Sequence, residues 1–164
     1  MMRTDGGASE QATGYLATVL SEARQRLDSG DADGAAAQLE DSLAQARGAL
    51  AFGPQGVLLC ALGDLHRVGG RMDAACAHYE QAAAALHEAG DTAAEADALL
   101  RRGDAQRALQ RIGAAAQAYA AAAALYDTLD DPRGTAHGEF LLAGLADASH
   151  KDIAEEHYAR AVEL

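Results

Sequence analysis

Small and large apolar residues recur along this chain with a period of about 40 residues. Three similar segments start at Ala35, Ala75 and Ala115, and a shorter fourth segment, AEEHYARAVEL, starts at Ala154. Four residues after each start stands a larger side chain: Leu39, Tyr79, Tyr119 and Tyr158. Three residues later comes a small one: Ser42, Ala82, Ala122 and Ala161. Spacings of four and three place these positions on one helix face, so the pattern predicts a repeated amphipathic helix.

A second helix is predicted ahead of each of these segments. Small residues recur there at Ala23, Gly63 and Gly103, and the glycine-containing turns SGDADG, GGRMDA and QRIGA separate the two halves of a unit. The eight predicted helices span residues 10–28, 32–50, 54–68, 71–89, 92–110, 113–129, 132–147 and 150–163. We expect residues 1–8 to be disordered and residues 9–164 to form one domain, with units at about 9–50, 54–89, 92–129 and 132–164.

The composition favours the same all-α architecture. Alanine occurs 43 times, aromatic residues make up 4% of the chain, and tryptophan is absent. Alanine prefers helices to strands, and small side chains let neighbouring helices approach closely. Cys60 and Cys76 lack the spacing of a disulfide framework or metal site. No apolar run is long enough for a signal sequence or a membrane span, so we expect a cytoplasmic protein with reduced thiols.

The charge of the chain limits the classes of partner that it can bind. The formal net charge is −12, which would repel a phosphate backbone, so nucleic-acid binding is not expected. Lys151 is the only lysine, and abundant alanine, glycine and arginine beside it suggest a GC-rich bacterial source. The sequence lacks nucleophile and metal motifs such as GxSxG and HExxH. We therefore expect no catalytic residues, no cofactor and no metal ion.

The repeated residues resemble the tetratricopeptide repeat (TPR) family, in the 40-residue form of kinesin light chains. The second unit matches the family motif best, with Leu62, Gly63, Ala75, Tyr79 and Ala82. The third unit keeps Gly103, Ala115, Tyr119 and Ala122, with Arg102 in place of the leucine. The aromatic residue that the family has three places after the glycine is missing, because Arg26, His66, Gln106 and Leu145 occupy that position. The resemblance implies a right-handed α-solenoid of about four hairpins.

The resemblance also implies a concave groove lined by the first helix of each hairpin. Carried over position by position, the candidate groove residues are Arg24, Cys60, Asp64, Arg67, Asp97, Leu100, Asp104, Arg107 and Glu139. Asp64 with Arg67, and Asp104 with Arg107, have the spacing of helical salt bridges, and a merely solvated charged face is an equal alternative. Arg101 is expected to point aside. The expected ligand is a polar or charged peptide segment, with a basic segment among the options.

The leading functional hypothesis is a non-catalytic protein-interaction module, a scaffold, adaptor or accessory protein that binds a peptide or partner protein in this groove. The alternatives are a peptide- or small-ligand-sensing regulatory protein, or an enzyme on a helical-repeat scaffold. A further hypothesis concerns the end of the array, where Ile153, Tyr158 and Val162 form an apolar strip. Either this strip mediates self-association or partner docking, or it packs inward on the third unit.

Overall fold

The computed structural model describes the backbone of residues 5–145 and 151–163, and the side chains of residues 14–145 and 155–162. This part of the chain consists of helices joined by short turns, without a β-strand. The helices are α1 (Asp5–Asp28), α2 (Ala32–Gly48), α3 (Phe52–Val68), α4 (Met72–Ala89), α5 (Thr92–Ala108), α6 (Ile112–Thr128), α7 (Pro132–Ala143) and α8 (Lys151–Glu163). The all-α architecture predicted from the repeat pattern is confirmed.

Each helix packs mainly on the helices before and after it in the chain. The most extensive contacts are those of α3 with α4 and of α5 with α6, and α4 with α5 joins these two pairs into one stack. Helix α1 additionally touches α3. Such a stack of helical hairpins buries a continuous core that no single hairpin could bury alone.

The six turns from α1 to α7 share one backbone conformation and recur every 20 residues. In each turn one residue has a positive φ: Gly30, Leu50, Gly70, Gly90, Gln110 and Asp130. The N–H of this residue bonds to the carbonyl three residues earlier, and the next N–H bonds to the carbonyl five residues earlier, as in Gly70 to Arg67 and Arg71 to His66. This is the Schellman arrangement, which satisfies the last carbonyls of a helix. Turns within a hairpin and turns between hairpins are therefore equivalent.

The residue after the positive-φ residue of each turn is the N-cap of the next helix, and its identity varies. Asp31, Asp91 and Asp131 accept hydrogen bonds from the backbone N–H groups of Gly34, Ala94 and Gly134. Ala51, Arg71 and Arg111 stand at the equivalent positions and make no side-chain cap. Three helices thus start with a capped N–H and three without one.

Alanine and glycine set the distance between the two helices of a hairpin. Ala35, Ala75 and Ala115 are almost completely buried, as the repeat pattern predicts; Ala154 lies outside the described side chains. The rings of Tyr79 and Tyr119 are also fully buried. A Cβ added at Gly63 would lie 2.5 Å from Tyr79 Cε1, so the ring occupies the space that only glycine leaves free. Large aromatic side chains therefore fit between helices that approach closely.

Two helix limits differ from the prediction by more than two residues. Helix α1 begins at Asp5, so residues 5–8, predicted to be disordered, are helical. Once a helix has formed, each further residue adds one hydrogen bond, and no proline interrupts this segment. Helix α7 ends at Ala143 rather than at residue 147, because the Gly144 N–H closes the last turn onto the Phe140 and Leu142 carbonyls. No helix among the described residues combines the length and the apolarity that crossing a bilayer requires.

Candidate functional site

Two adjoining cavities follow the first helices of hairpins one to three. The apolar cavity lies between hairpins one and two, has a volume of about 350 Å³, and is lined mainly by Leu20, Leu27, Leu39, Leu65 and Val68, with Arg24 and Asp28. The charged cavity lies between hairpins two and three and has a volume of about 470 Å³. It is lined by the charged residues Asp64, Arg67, Arg101, Asp104 and Arg107, together with Met72, Ala105 and Ala108. Asp64 and Arg67 line both cavities, so the two are parts of one groove.

The aspartates of the groove are anchored to tyrosines from the second helices. The Tyr79 hydroxyl donates to Asp64 Oδ1 at 2.7 Å, and the Tyr119 hydroxyl donates to Asp104 Oδ1 at the same distance. A third bond of this kind joins the Tyr126 hydroxyl to Asp97. Each tyrosine crosses its own hairpin from α4 to α3 or from α6 to α5. The groove floor is therefore connected to the buried core by hydroxyl–carboxylate bonds.

The environment keeps these hydroxyls protonated. Burial is the largest cause that raises the pKa of Tyr79, Tyr119 and Tyr126 well above its ordinary value, and the neighbouring carboxylate raises it further. For Tyr79 and Tyr119 the nearby arginine acts in the opposite direction and is outweighed. The three hydroxyls remain donors at neutral pH.

The arginines of the groove differ in how firmly they are held. Arg101 of α5 donates to Asp64 Oδ2 and so joins hairpin three to hairpin two. Arg67 and Arg107 pair with Asp64 and Asp104 only at 3.8 Å, which is too long for a hydrogen bond. Their side chains are 48% and 57% exposed. Arg67 and Arg107 thus remain open to an incoming group.

Sequence reasoning missed Arg101, which was expected to point aside. The residue lines the charged cavity and reaches a carboxylate 37 positions earlier in the chain. The residues 40 positions before and after it are Ala61 and Leu141, which carry no charge. Comparing the repeats therefore gives no indication that position 101 has a charged role. Only the stacking of hairpin three on hairpin two brings Arg101 to Asp64.

The remaining predicted groove residues divide into two groups. Arg24 is exposed and lines the apolar cavity, whereas Asp97 is held by Tyr126 and lines neither cavity. Leu100 is buried against Tyr119 and Tyr126, so it is a core residue and not an open groove position. Helix α5 is rotated so that this position faces α6 of the same hairpin.

Cys60 and Glu139 also face the packing between helices. Cys60 packs against the core, and burial raises the pKa of its thiol to about 11, although Arg101 opposes the shift. Glu139 is 3% exposed, where an open groove residue was predicted. One of its oxygens lies 2.5 Å from His157 Nδ1, and the other forms an ion pair with Arg160 Nη2 at 3.0 Å. Glu139 therefore connects α7 to α8.

The histidines form a packing contact at the junction of α3 and α4. The rings of His66 and His78 stack with centroids 4.9 Å apart, and Arg71 Nε donates to His66 Nδ1 at 2.9 Å. Burial is the main cause that lowers the pKa of both imidazoles. Within the described residues, no three His, Cys, Asp or Glu side chains converge as metal ligands would. The chemistry concentrated in the groove is that of charge pairing and hydrogen bonding.

The apolar strip proposed at the end of the array is partly exposed. Val162 is 85% exposed and Tyr158 is 42% exposed, with the Tyr158 ring 5.8 Å from that of Phe140 in an edge-on contact. The Ile153 side chain lies outside the described residues. Tyr158 and Val162 thus do not pack inward completely, and their use as an interface stays a prediction.

The fold is that of TPR-like repeat proteins, the class that the sequence pattern resembles, and it forms a solenoid of helical hairpins. One similar structure is BtubC (BKLC) from P. vanneervenii, with a TM-score of 0.73 and 20% identity, over 94% of this chain and 72% of that one. Another comprises the nearly identical TPR-like repeats of a protein from Podospora anserina assigned as a kinesin light chain, with a TM-score of 0.71 and 16% identity, over 91% and 74%. No family model and no curated protein sequence matches the chain. TPR-like repeats generally bind protein partners.

Proposed function

We propose that this protein is a non-catalytic interaction module, a scaffold or adaptor that binds an extended segment of a partner protein in the groove. The observation that carries the proposal is the continuity of the apolar and charged cavities through Asp64 and Arg67. An extended peptide needs a long surface with different kinds of contact along it. A closed pocket with converging polar groups, typical of an enzyme or a small-ligand receptor, would argue for the alternatives. The place of action that we propose is the cytoplasm.

Two further features support a binding role. The groove floor is held by the Tyr79–Asp64 and Tyr119–Asp104 bonds, so its shape exists before a ligand arrives. A preformed site loses less conformational entropy on binding. Cys60, the thiol nearest this surface, has a pKa of about 11 and stays neutral at physiological pH, which disfavours nucleophilic chemistry.

The test is to identify a partner by affinity capture and mass spectrometry, and then to measure its affinity as a purified protein. We expect the double variant Arg67→Ala and Arg107→Ala to weaken binding at least tenfold, because each removes a charged contact in the groove. Arg47→Ala controls for the loss of an arginine elsewhere, and each groove variant is also measured singly against it, since Arg47 lies on α2 and bonds to Gln81 of α4 outside both cavities. Unchanged affinity of the double variant would contradict groove binding.

A second candidate function is association through the end of the array, supported by the exposure of Val162 beside Tyr158. Burying such side chains is favourable, so we expect concentration-dependent association that Val162→Asp abolishes. Sedimentation velocity of the two proteins over a hundredfold range of concentration measures this. A wild-type protein that stays monomeric throughout would contradict self-association.

A further inference from the structure

We infer that the segment bound in the groove is acidic and carries an aliphatic side chain, with carboxylates over the charged cavity and the aliphatic group in the apolar cavity. This inference rests on the proposed function and names the class of its ligand. The contrast between the two cavities carries it, since one offers arginines and the other offers leucines.

The charge of the groove is opposite to that of the whole chain. Four arginines and three aspartates line the two cavities, which gives a local net charge of +1 in a chain with a net charge of −12. The arginines are Arg24, Arg67, Arg101 and Arg107, and the aspartates are Asp28, Asp64 and Asp104. A carboxylate ligand therefore meets an excess of positive charge in this groove, in contrast to the negative charge of the molecule as a whole.

The aspartates at the centre of the groove are already engaged. Both oxygens of Asp64 accept hydrogen bonds, one from Tyr79 and one from Arg101, and Asp104 accepts one from Tyr119. A basic ligand would compete with these internal donors. This argues against the basic segment that the sequence left among the options.

Three arginines remain available to a ligand. Arg67 and Arg107 stand 3.8 Å from their aspartates without a hydrogen bond. Arg24 is exposed, and among the described residues none pairs with it in an ion pair. A guanidinium presents five N–H groups in a planar fork and binds a carboxylate through two parallel bonds. Two or more acidic side chains could be bound along the groove in this way.

The apolar cavity specifies the other part of the ligand. Its leucines and Val68 line an open cavity of about 350 Å³, which accommodates an aliphatic side chain. Adjacent packed helices lie about 8–10 Å apart, and an extended peptide advances about 3.3 Å per residue. The aliphatic residue is therefore expected about three positions from the first acidic residue.

The probe for this inference is a random twelve-residue peptide library displayed on phage and selected on the immobilised wild-type chain. We expect enriched peptides to contain Asp or Glu about three positions from Leu, Ile, Val or Met. The double variant Arg67→Glu and Arg107→Glu should bind an enriched synthetic peptide at least thirtyfold more weakly in calorimetry. Arg47→Glu introduces half of this charge change, outside the groove, and should leave the affinity within twofold. Val68→Asn should reduce the aliphatic preference and keep the acidic one.

The outcomes separate this inference from the proposed function. Enriched peptides that are basic or uncharged, yet lose binding in the arginine double variant, would overturn the acidic class and leave groove binding intact. Enriched peptides that bind the double variant as tightly as the wild type would overturn both. So would a selection without enrichment. Circular dichroism checks that the variants fold, and the affinity of the wild type for an enriched peptide should fall as salt is raised, which a charge-independent ligand would not show.

Discussion

Tyr79 and Tyr119 each depend on two residues that face them from the first helix of the same hairpin. Gly63 and Gly103 leave room for the rings, and the next residue in each case supplies the carboxylate that accepts the hydroxyl. In hairpin one the same three positions hold Ala23, Arg24 and Leu39. The smaller Leu39 side chain needs neither the glycine nor the carboxylate. These positions therefore differ together between hairpin one and hairpins two and three.

We expect Gly103→Ala to destabilise the protein by about 1–3 kcal/mol, because an added Cβ would lie 2.4 Å from Tyr119 Cε1. Tyr119→Leu should relieve the clash, since Ala23 and Leu39 coexist in hairpin one. The measurement is a double-mutant cycle from urea unfolding of the two single variants and the double variant. Strictly additive effects would show that ring and glycine are independent.

Leu50 is a large side chain at a backbone position that favours glycine. Its φ is 52° and its side chain is largely exposed, so it makes little compensating contact. We expect Leu50→Gly to stabilise the protein by about 0.5–1 kcal/mol, because a left-handed conformation costs an L-residue more than glycine loses in entropy. Gly90→Ala, at an equivalent turn with φ 71°, should destabilise it. Thermal and urea unfolding measure both, and a loss of stability in Leu50→Gly would contradict this account.

Helix starts show how a single side chain acts on a whole element. Asp131 accepts N–H bonds at the beginning of α7, and Pro132 follows it in the first turn. We expect Asp131→Ala to cost about 1 kcal/mol, because the first N–H groups of α7 lose their acceptor. Ala51→Asp should add about 0.5–1 kcal/mol at the start of α3, where the backbone is equivalent and uncapped. Urea unfolding measures both, and equal stability of all three proteins would contradict the capping argument.

At the scale of helices, periodicity predicts where the helices lie far better than it predicts where their side chains point. The spacing of four and three identifies α2, α4 and α6 because alanine and a larger apolar residue recur on the face that is buried. The family resemblance, carried over by position, implies a groove location for Glu139, whereas the structure places that carboxylate against His157 of α8. It also assigns no role to Arg101, whose partner lies on another hairpin. The rotation of a helix about its axis, and the contacts its side chains make with other hairpins, depend on tertiary packing. The sequence of a single repeat does not determine that packing.

The molecule as a whole derives its stability from contacts between neighbouring helices. Thiols and tyrosine hydroxyls packed between its helices add a dependence on pH, because the folded chain holds their protons more tightly than the unfolded chain does. Burial raises the pKa of Cys60 from 9.0 to about 11 and raises the pKa of Tyr79, Tyr119 and Tyr126 above 10. Cys76 shifts in the same direction. This contribution to stability is fully present below pH 9 and is lost as pH rises.

We therefore expect the free energy of unfolding to fall steadily from about pH 9 to pH 11, because the unfolded chain loses these protons first. Cys60→Ala should reduce the slope between pH 9 and pH 11, since it removes one of the shifted groups. Urea unfolding at intervals of half a pH unit measures the dependence. A flat profile between pH 8 and pH 11 would show that the native state does not retain these protons.

The turns that recur every 20 residues have a consequence for how such a chain can change in length. Turns within hairpins and turns between hairpins have the same backbone conformation. The turns at the two ends of any 40-residue block are therefore equivalent to each other. Duplicating residues 71–110 in tandem would insert a further pair of helices between joints that already fit it. The groove would become longer by one step, and no turn would need a new conformation. A protein built in this way can be extended toward a longer ligand by copying, before any point mutation adapts the added surface.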